Sequence, residues 1–161
     1  MGERNATVVA GLGNPLMTDE GVGLHIVNEM MAGSEVFSGV DFIEAGSSLM
    51  SVVHTIAGRR KVILVDCACM GEPPGTIRCF SPDEVISTKA MPNFSLHEGD
   101  LLDALKLSQK LGEYPEEVVV FGIEPESIAP GRELSSALQE RLPGYIDIIR
   151  AELNGSFIHR A

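Results

Sequence analysis

Three stretches of this chain, Ala6–Leu12, Lys61–Asp66 and Glu117–Ile123, are largely runs of Val, Ile, Leu, Ala and Phe, and Val40–Ala45 reads as a further short strand. Strands apolar at consecutive positions are buried on both faces, as in a parallel sheet covered by helices on two sides. Helical patterns lie between them. Val22, Ile26 and Met30, with Val27 and Met31, share one helical face that Gly33 ends, and Thr18 is placed to cap it. Leu49–Ala57 reads as a second helix closed by Gly58. Leu101, Leu102, Leu105 and Leu111 mark a third, opened by a capping box at Ser95 and Glu98. The last runs from about Glu133 to Leu153, with Pro143-Gly144 expected to kink it. Thr76–Phe80 reads as an edge strand and residues 81–94 as mostly loop. The alternation predicts an α/β single-domain three-layer sandwich over residues 1–161, with a mainly parallel twisted sheet of about five strands and helices on both faces.

The charge narrows the partners. Twelve Lys and Arg face 23 Asp and Glu, a formal net charge of −11, which opposes a nucleic-acid ligand. The one basic run, Arg59-Arg60-Lys61, reads as a solvated turn before a strand. No stretch approaches the roughly 18 apolar residues of a membrane span. Met1–Asn5 leads into a strand without a signal-peptide pattern, and three cysteines (Cys67, Cys69, Cys79) do not form a disulfide framework. The expectation is a cytoplasmic protein, monomeric by default.

In open α/β sheets ligands bind beyond the carboxyl ends of the strands, which selects loops 11–21, 66–75 and 124–132. The first reads Gly11-Leu-Gly13-Asn14-Pro15-Leu16-Met17-Thr18-Asp19-Glu20-Gly21-Val22-Gly23. A dinucleotide fingerprint needs glycine where Leu16 stands, and Asp19 and Glu20 would repel a phosphate at the helix start. The loop is therefore suited to a cation. Glu20, Asp66 at a strand end and His97 near a helix start together offer two carboxylates and an imidazole, a donor set for a borderline divalent ion with open positions. Asp19 reads as a helix-cap neighbour. His25, His54 and His159 have no evident partners, and Cys67-Ala-Cys69 lacks the second pair of a metal clamp.

The first-loop segment, Asp66, the segment Ser95-Leu-His97-Glu-Gly-Asp-Leu-Leu-Asp103-Ala-Leu105 and the segment Gly122-Ile-Glu-Pro125-Glu126-Ser127-Ile-Ala-Pro130 occur in order along nearly the whole chain. Together they resemble the nickel–iron hydrogenase maturation endopeptidases. The resemblance implies a cytoplasmic hydrolase of aspartyl or metallo type. It would remove a short C-terminal peptide from a hydrogenase large-subunit precursor after nickel insertion. It also implies Glu20, Asp66 and His97 as metal-binding and catalytic residues, with nickel presented by the substrate and another divalent metal possible in the isolated protein.

Two other readings share parts of this pattern. Peptidyl-tRNA hydrolase also opens with Gly-Leu-Gly-Asn-Pro after a first strand, but here Leu16 follows Pro15, His25 lies between Leu24 and Ile26, and the charge opposes tRNA. A non-catalytic metal-dependent binding module or chaperone would use the same three ligands without turnover.

Overall fold

A computed structural model describes residues 3–33, 37–87, 95–96 and 100–155. The elements, in order, are β1 (Thr7–Leu12), α1 (Val22–Ala32), β2 (Val40–Gly46), α2 (Leu49–Ile56), β3 (Lys61–Cys69), β4 (Ile77–Phe80), α3 (Pro82–Ser87), β5 (Ser95–Leu96), α4 (Asp100–Lys110), β6 (Glu117–Ile123) and α5 (Ser136–Leu153). A short 3-10 turn, Thr18–Gly21, precedes α1.

The main sheet has the order β2-β1-β3-β6-β4. The pairs β1–β2, β1–β3 and β3–β6 are parallel, and β4 closes one edge antiparallel to β6. The side chains explain the unbroken apolar runs. Val8, Ala10, Val62, Leu64, Val118 and Val120 pack with α2 and α4 on one face. Their neighbours Val9, Ile63, Val65, Val119 and Phe121 pack with α1 and α5 on the other. Each strand is sandwiched, so alternation of polar and apolar residues is lost. The expected single-domain three-layer α/β architecture is what the structure shows.

The chain leaves β1 toward β2 on one side and then returns to β3 on the other. This reversal of strand order opens a crevice at the carboxyl ends of β1 and β3, the usual place for a ligand in such sheets. Leu12 ends β1, and Asp66 follows Val65, the last β3 residue paired with β1.

Several local expectations change. β3 continues three residues past Asp66, because Ala68 and Cys69 pair with Leu96 and Ser95 of β5. Ser95 is thus a strand residue and not a helix cap, and α4 begins only at Asp100. A short helix, α3, occupies Pro82–Ser87 in what reads as loop. Thr18 does not cap α1: the helix starts at Val22, and Thr18 lies in the 3-10 turn with a φ of 47°. The basic run is not a solvated turn throughout. Arg59 is only 4% exposed and donates to the carbonyls of Thr55 and Asn5 and to the Asp41 carboxylate. Lys61 Nζ lies 3.0 Å from Glu152 Oε1. Pro143 sits inside a continuous α5.

Candidate functional site

The first loop is shaped by its glycines, and the close approaches they permit are made by the protein's own backbone. A Cβ on Gly23 would stand 2.2 Å from the Val65 carbonyl oxygen and 2.8 Å from that of Leu12, so α1 starts directly against β1 and β3. Gly13 adopts a φ of 121°, and a Cβ there would stand 1.9 Å from the Glu20 carbonyl oxygen and 3.7 Å from Asp66 Oδ1. Only glycine satisfies both demands. The turn that bears Glu20 is thereby folded back over the end of β1, beside the end of β3.

Asp19 and Glu20 are adjacent but differently used. Asp19 is fully buried. Its Oδ2 accepts the backbone N–H groups of Glu126 and Ser127, each at 2.9 Å, and its Oδ1 accepts that of Ser135 at 2.8 Å. Three donors occupy this carboxylate, which makes it a clamp between the first loop and the loop after β6. Thr18 reinforces the clamp. Its hydroxyl donates to the Ser127 carbonyl at 2.7 Å and accepts from the Ala129 N–H at 3.1 Å, and its own N–H donates to Gly131. Glu20 is half-buried on the same turn.

Asp66 is 2% exposed, and its Oδ1 accepts the Cys67 N–H at 2.8 Å. With Leu12, Gly13, Gly46, Ser47, Val52 and Leu101 it lines a cavity of about 10 Å³. A space that small is at the lower limit for one water molecule. The carboxylates of Asp66 and Glu20 act on a common neighbour. Burial pushes the Cys67 thiol far up, and Asp66, Cys69, Glu20 and Asp19 push it further in that order. The ends of β1 and β3 are thus a locus of converging negative charge. That donor chemistry fits a divalent cation, and the fixed backbone around both residues limits how far they can move apart.

The third expected residue, His97, lies outside the described residues, as do Glu98 and His159. The last described residue before it, Leu96, pairs with Ala68, two positions past Asp66. Among the described residues no group of three or more His, Cys, Asp or Glu could hold a metal ion. His25 is turned to the Arg132 carbonyl at 3.2 Å, and His54 is exposed. The three cysteines are free thiols, with Cys67 buried.

Sequence reading missed one carboxylate in this region. Glu124, 7% exposed, follows β6 and accepts the N–H groups of Met70 at 2.9 Å and Glu72 at 2.8 Å. It holds the loop after β3 as Asp19 holds the first loop. A strand ending in Glu was the only local sign.

Comparison with known proteins identifies the family. The family model described as Hydrogenase maturation protease (HycI) matches residues 24–152. The Hydrogenase 2 maturation protease of Escherichia coli is 27% identical over 152 residues, covering 92% of this chain and 91% of the relative. The hydrogenase expression/formation protein HoxM of Cupriavidus necator is 26% identical over 148 residues, covering 89% of this chain and 73% of HoxM. The solved hydrogenase maturating endopeptidase HybD of E. coli superposes with a TM-score of 0.81 at 26% identity, over 95% of this chain and 94% of HybD. Family match, curated relatives and shared fold agree: the chain belongs to the hydrogenase maturation protease family.

Proposed function

We propose that this protein is the endopeptidase that removes the C-terminal peptide of a nickel–iron hydrogenase large-subunit precursor after nickel has been inserted. Glu20, Asp66 and His97 are the proposed ligands to the nickel carried by that substrate. The observation that supports this most is the seating of the Glu20 turn on Gly13 beside Asp66, at the reversal point of the sheet, in a chain of this family.

Each residue has a distinct task in this reading. Asp66 is oriented by the Cys67 N–H and offers its carboxylate to the cation from β3. Glu20 supplies a second charge from a turn clamped through Asp19 and Thr18. Leu12 and Leu101 shield the Asp66 side of the site, so its charge is less screened than at an open surface. His97 completes the set with a nitrogen donor. Substrate-borne nickel supplies a fixed anchor and Lewis acidity at the peptide bond to be cut. Holding that bond against a fixed carboxylate pair turns encounter with the precursor into an oriented complex.

The test is incubation of the purified protein with a nickel-loaded large-subunit precursor, followed by mass measurement. The expected product is a shortened large subunit and one released peptide. Folded Glu20→Gln, Asp66→Asn and His97→Ala variants should each lose at least about 100-fold in rate, the scale of removing one catalytic electrostatic contact. Full cleavage by any of them overturns its assignment. A stable complex without mass loss would favour a metal-dependent binding module.

A further inference from the structure

On the other side of the first loop lies an open groove of about 350 Å³, at the small end of the roughly 300–1,000 Å³ of ligand clefts. We infer that it seats an extended segment of the precursor polypeptide, with an apolar side chain on Leu16 and a carboxylate beside Arg132. The inference rests on the function proposed above and names a substrate-recognition surface for it.

Position supports this first. A Cβ on Gly21 would stand 2.9 Å from the Pro15 Cα, so the groove wall formed by Pro15 is packed against the residue that follows Glu20. A chain lying in the groove passes directly beside the Glu20 turn.

The walls are held in place before any partner arrives. His25 Nε2 is 3.2 Å from the Arg132 carbonyl, and the Asn28 amide donates to the Glu44 carboxylate. Leu16 is pinned at both ends: its N–H donates to Asn14 Oδ1 at 2.9 Å, and its carbonyl accepts from Gly131 N–H at 2.9 Å. Yet Leu16 is 54% exposed. A leucine held out on a rigid loop is a preorganised apolar anchor.

Charge selects the second contact. Glu44 is partnered by Asn28, whereas the exposed Arg132 guanidinium makes no ion pair or side-chain hydrogen bond among the described residues. In a chain with 12 basic and 23 acidic residues, an unpaired cation in a groove marks where an acidic group of the partner belongs.

The experiment uses Leu16→Glu and Arg132→Glu, two exposed positions, with thermal melting to confirm folding. Cleavage of the nickel-loaded precursor and its binding to immobilised protein are both measured. We expect KM and Kd to rise about tenfold or more in each variant, with kcat within about twofold of wild type. The wild-type Kd should weaken with added salt, and the Arg132→Glu Kd should not. Unchanged KM and Kd in both variants overturn the inference while leaving the proposed activity standing. Precursor binding that depends on Leu16 and Arg132, without any cleavage, keeps the groove and overturns the activity. A wild-type protein that is dimeric in solution and becomes monomeric on Leu16→Glu assigns the groove to a second copy of this chain instead.

Discussion

Ser135, 116 residues after Asp19 in the chain, donates its backbone N–H to Asp19 Oδ1 at 2.8 Å. The same carboxylate holds the N–H groups of Glu126 and Ser127. Ser135 is also the N-cap residue directly before α5, so one buried side chain joins the Glu20 turn, the loop after β6 and the start of a core helix. Asp19→Ala would leave three donors without their acceptor. Unmade buried hydrogen bonds cost ~1–3 kcal/mol each, and these three are partly buried, so a loss of about 3 kcal/mol is expected, a large share of a typical domain's ~5–15 kcal/mol. Asp19→Asn retains one acceptor oxygen but turns an amide N–H toward a donor, and should lose about half as much. Urea unfolding midpoints check both. A loss under 1 kcal/mol for Asp19→Ala would contradict the clamp.

The glycines of the first loop should be separable by what their missing Cβ would meet. Gly23→Ala forces a methyl to within 2.2 Å of the Val65 carbonyl, in the central strand β3. Neither backbone can yield without separating α1 from the sheet. The variant is expected to be destabilised by about 3 kcal/mol or more, the range of severe overpacking. Gly33→Ala is the control, because its nearest contacts would be 3.5 Å away and its φ is −67°. It should be neutral or stabilising by ~0.4–1 kcal/mol through the unfolded chain. Thermal melts of the two variants against wild type measure the contrast.

The legibility of the sequence followed the range of the interactions. β6 spans Glu117–Ile123, as its apolar run predicts, because burial on both faces is written into consecutive residues. Ser95 was misread because a capping pattern is local, whereas its actual partner, Cys69, belongs to another element. α3 is too short to display a helical period. Arg59 looked like part of a surface run because its acceptors lie elsewhere, on Asn5 54 residues away and Asp41 18 residues away. The site shows the same division. Glu20 stood out as an acid in the glycine-rich loop after the first strand, and Asp66 as an acid closing an apolar run. The separate job of Asp19 depends on donors more than 100 residues distant, and only the folded chain displays them.

The Arg59–Asp41 pair predicts acid sensitivity. The Arg59 hydrogen bond, outweighing partial desolvation, holds the Asp41 carboxyl below its ordinary value of 3.8, with further help from Asn5. A group whose folded pKa is depressed contributes stability above its unfolded pKa and loses it as the pH falls through the folded one. The contribution is therefore complete above about pH 5 and is lost as the pH falls from 3.8 through the lower folded value. Asp41→Asn should flatten the stability-versus-pH curve in that window. Arg59→Met should destabilise at neutral pH by about 1–2 kcal/mol, because it removes the charged hydrogen bond to the partly exposed Asp41 carboxylate. Urea midpoints at pH 7 and at pH 3.5 distinguish the two effects.

The loop after β3 is held from the opposite layer by Tyr145, whose hydroxyl donates to the Gly75 carbonyl at 2.6 Å. The ring is 2% exposed, packed in the face that joins α5 to the sheet. Burial pushes its pKa up to about 12, with Arg141 pulling down and Asp19 pushing up. An acid with a raised folded pKa stabilises the fold fully below its unfolded value and loses that contribution as the pH rises toward the folded one. The window here runs from pH 10 to about 12. Tyr145→Phe removes the donor while keeping the ring, so it should cost about 1 kcal/mol at pH 7 and remove the share of the alkaline loss that Tyr145 contributes beside Cys67, Cys79 and Tyr114. The absorbance change of tyrosine ionisation near 295 nm, followed together with circular dichroism, gives the direct check. Ionisation of Tyr145 near pH 10 in the still-folded protein would show that the hydroxyl is not held as described.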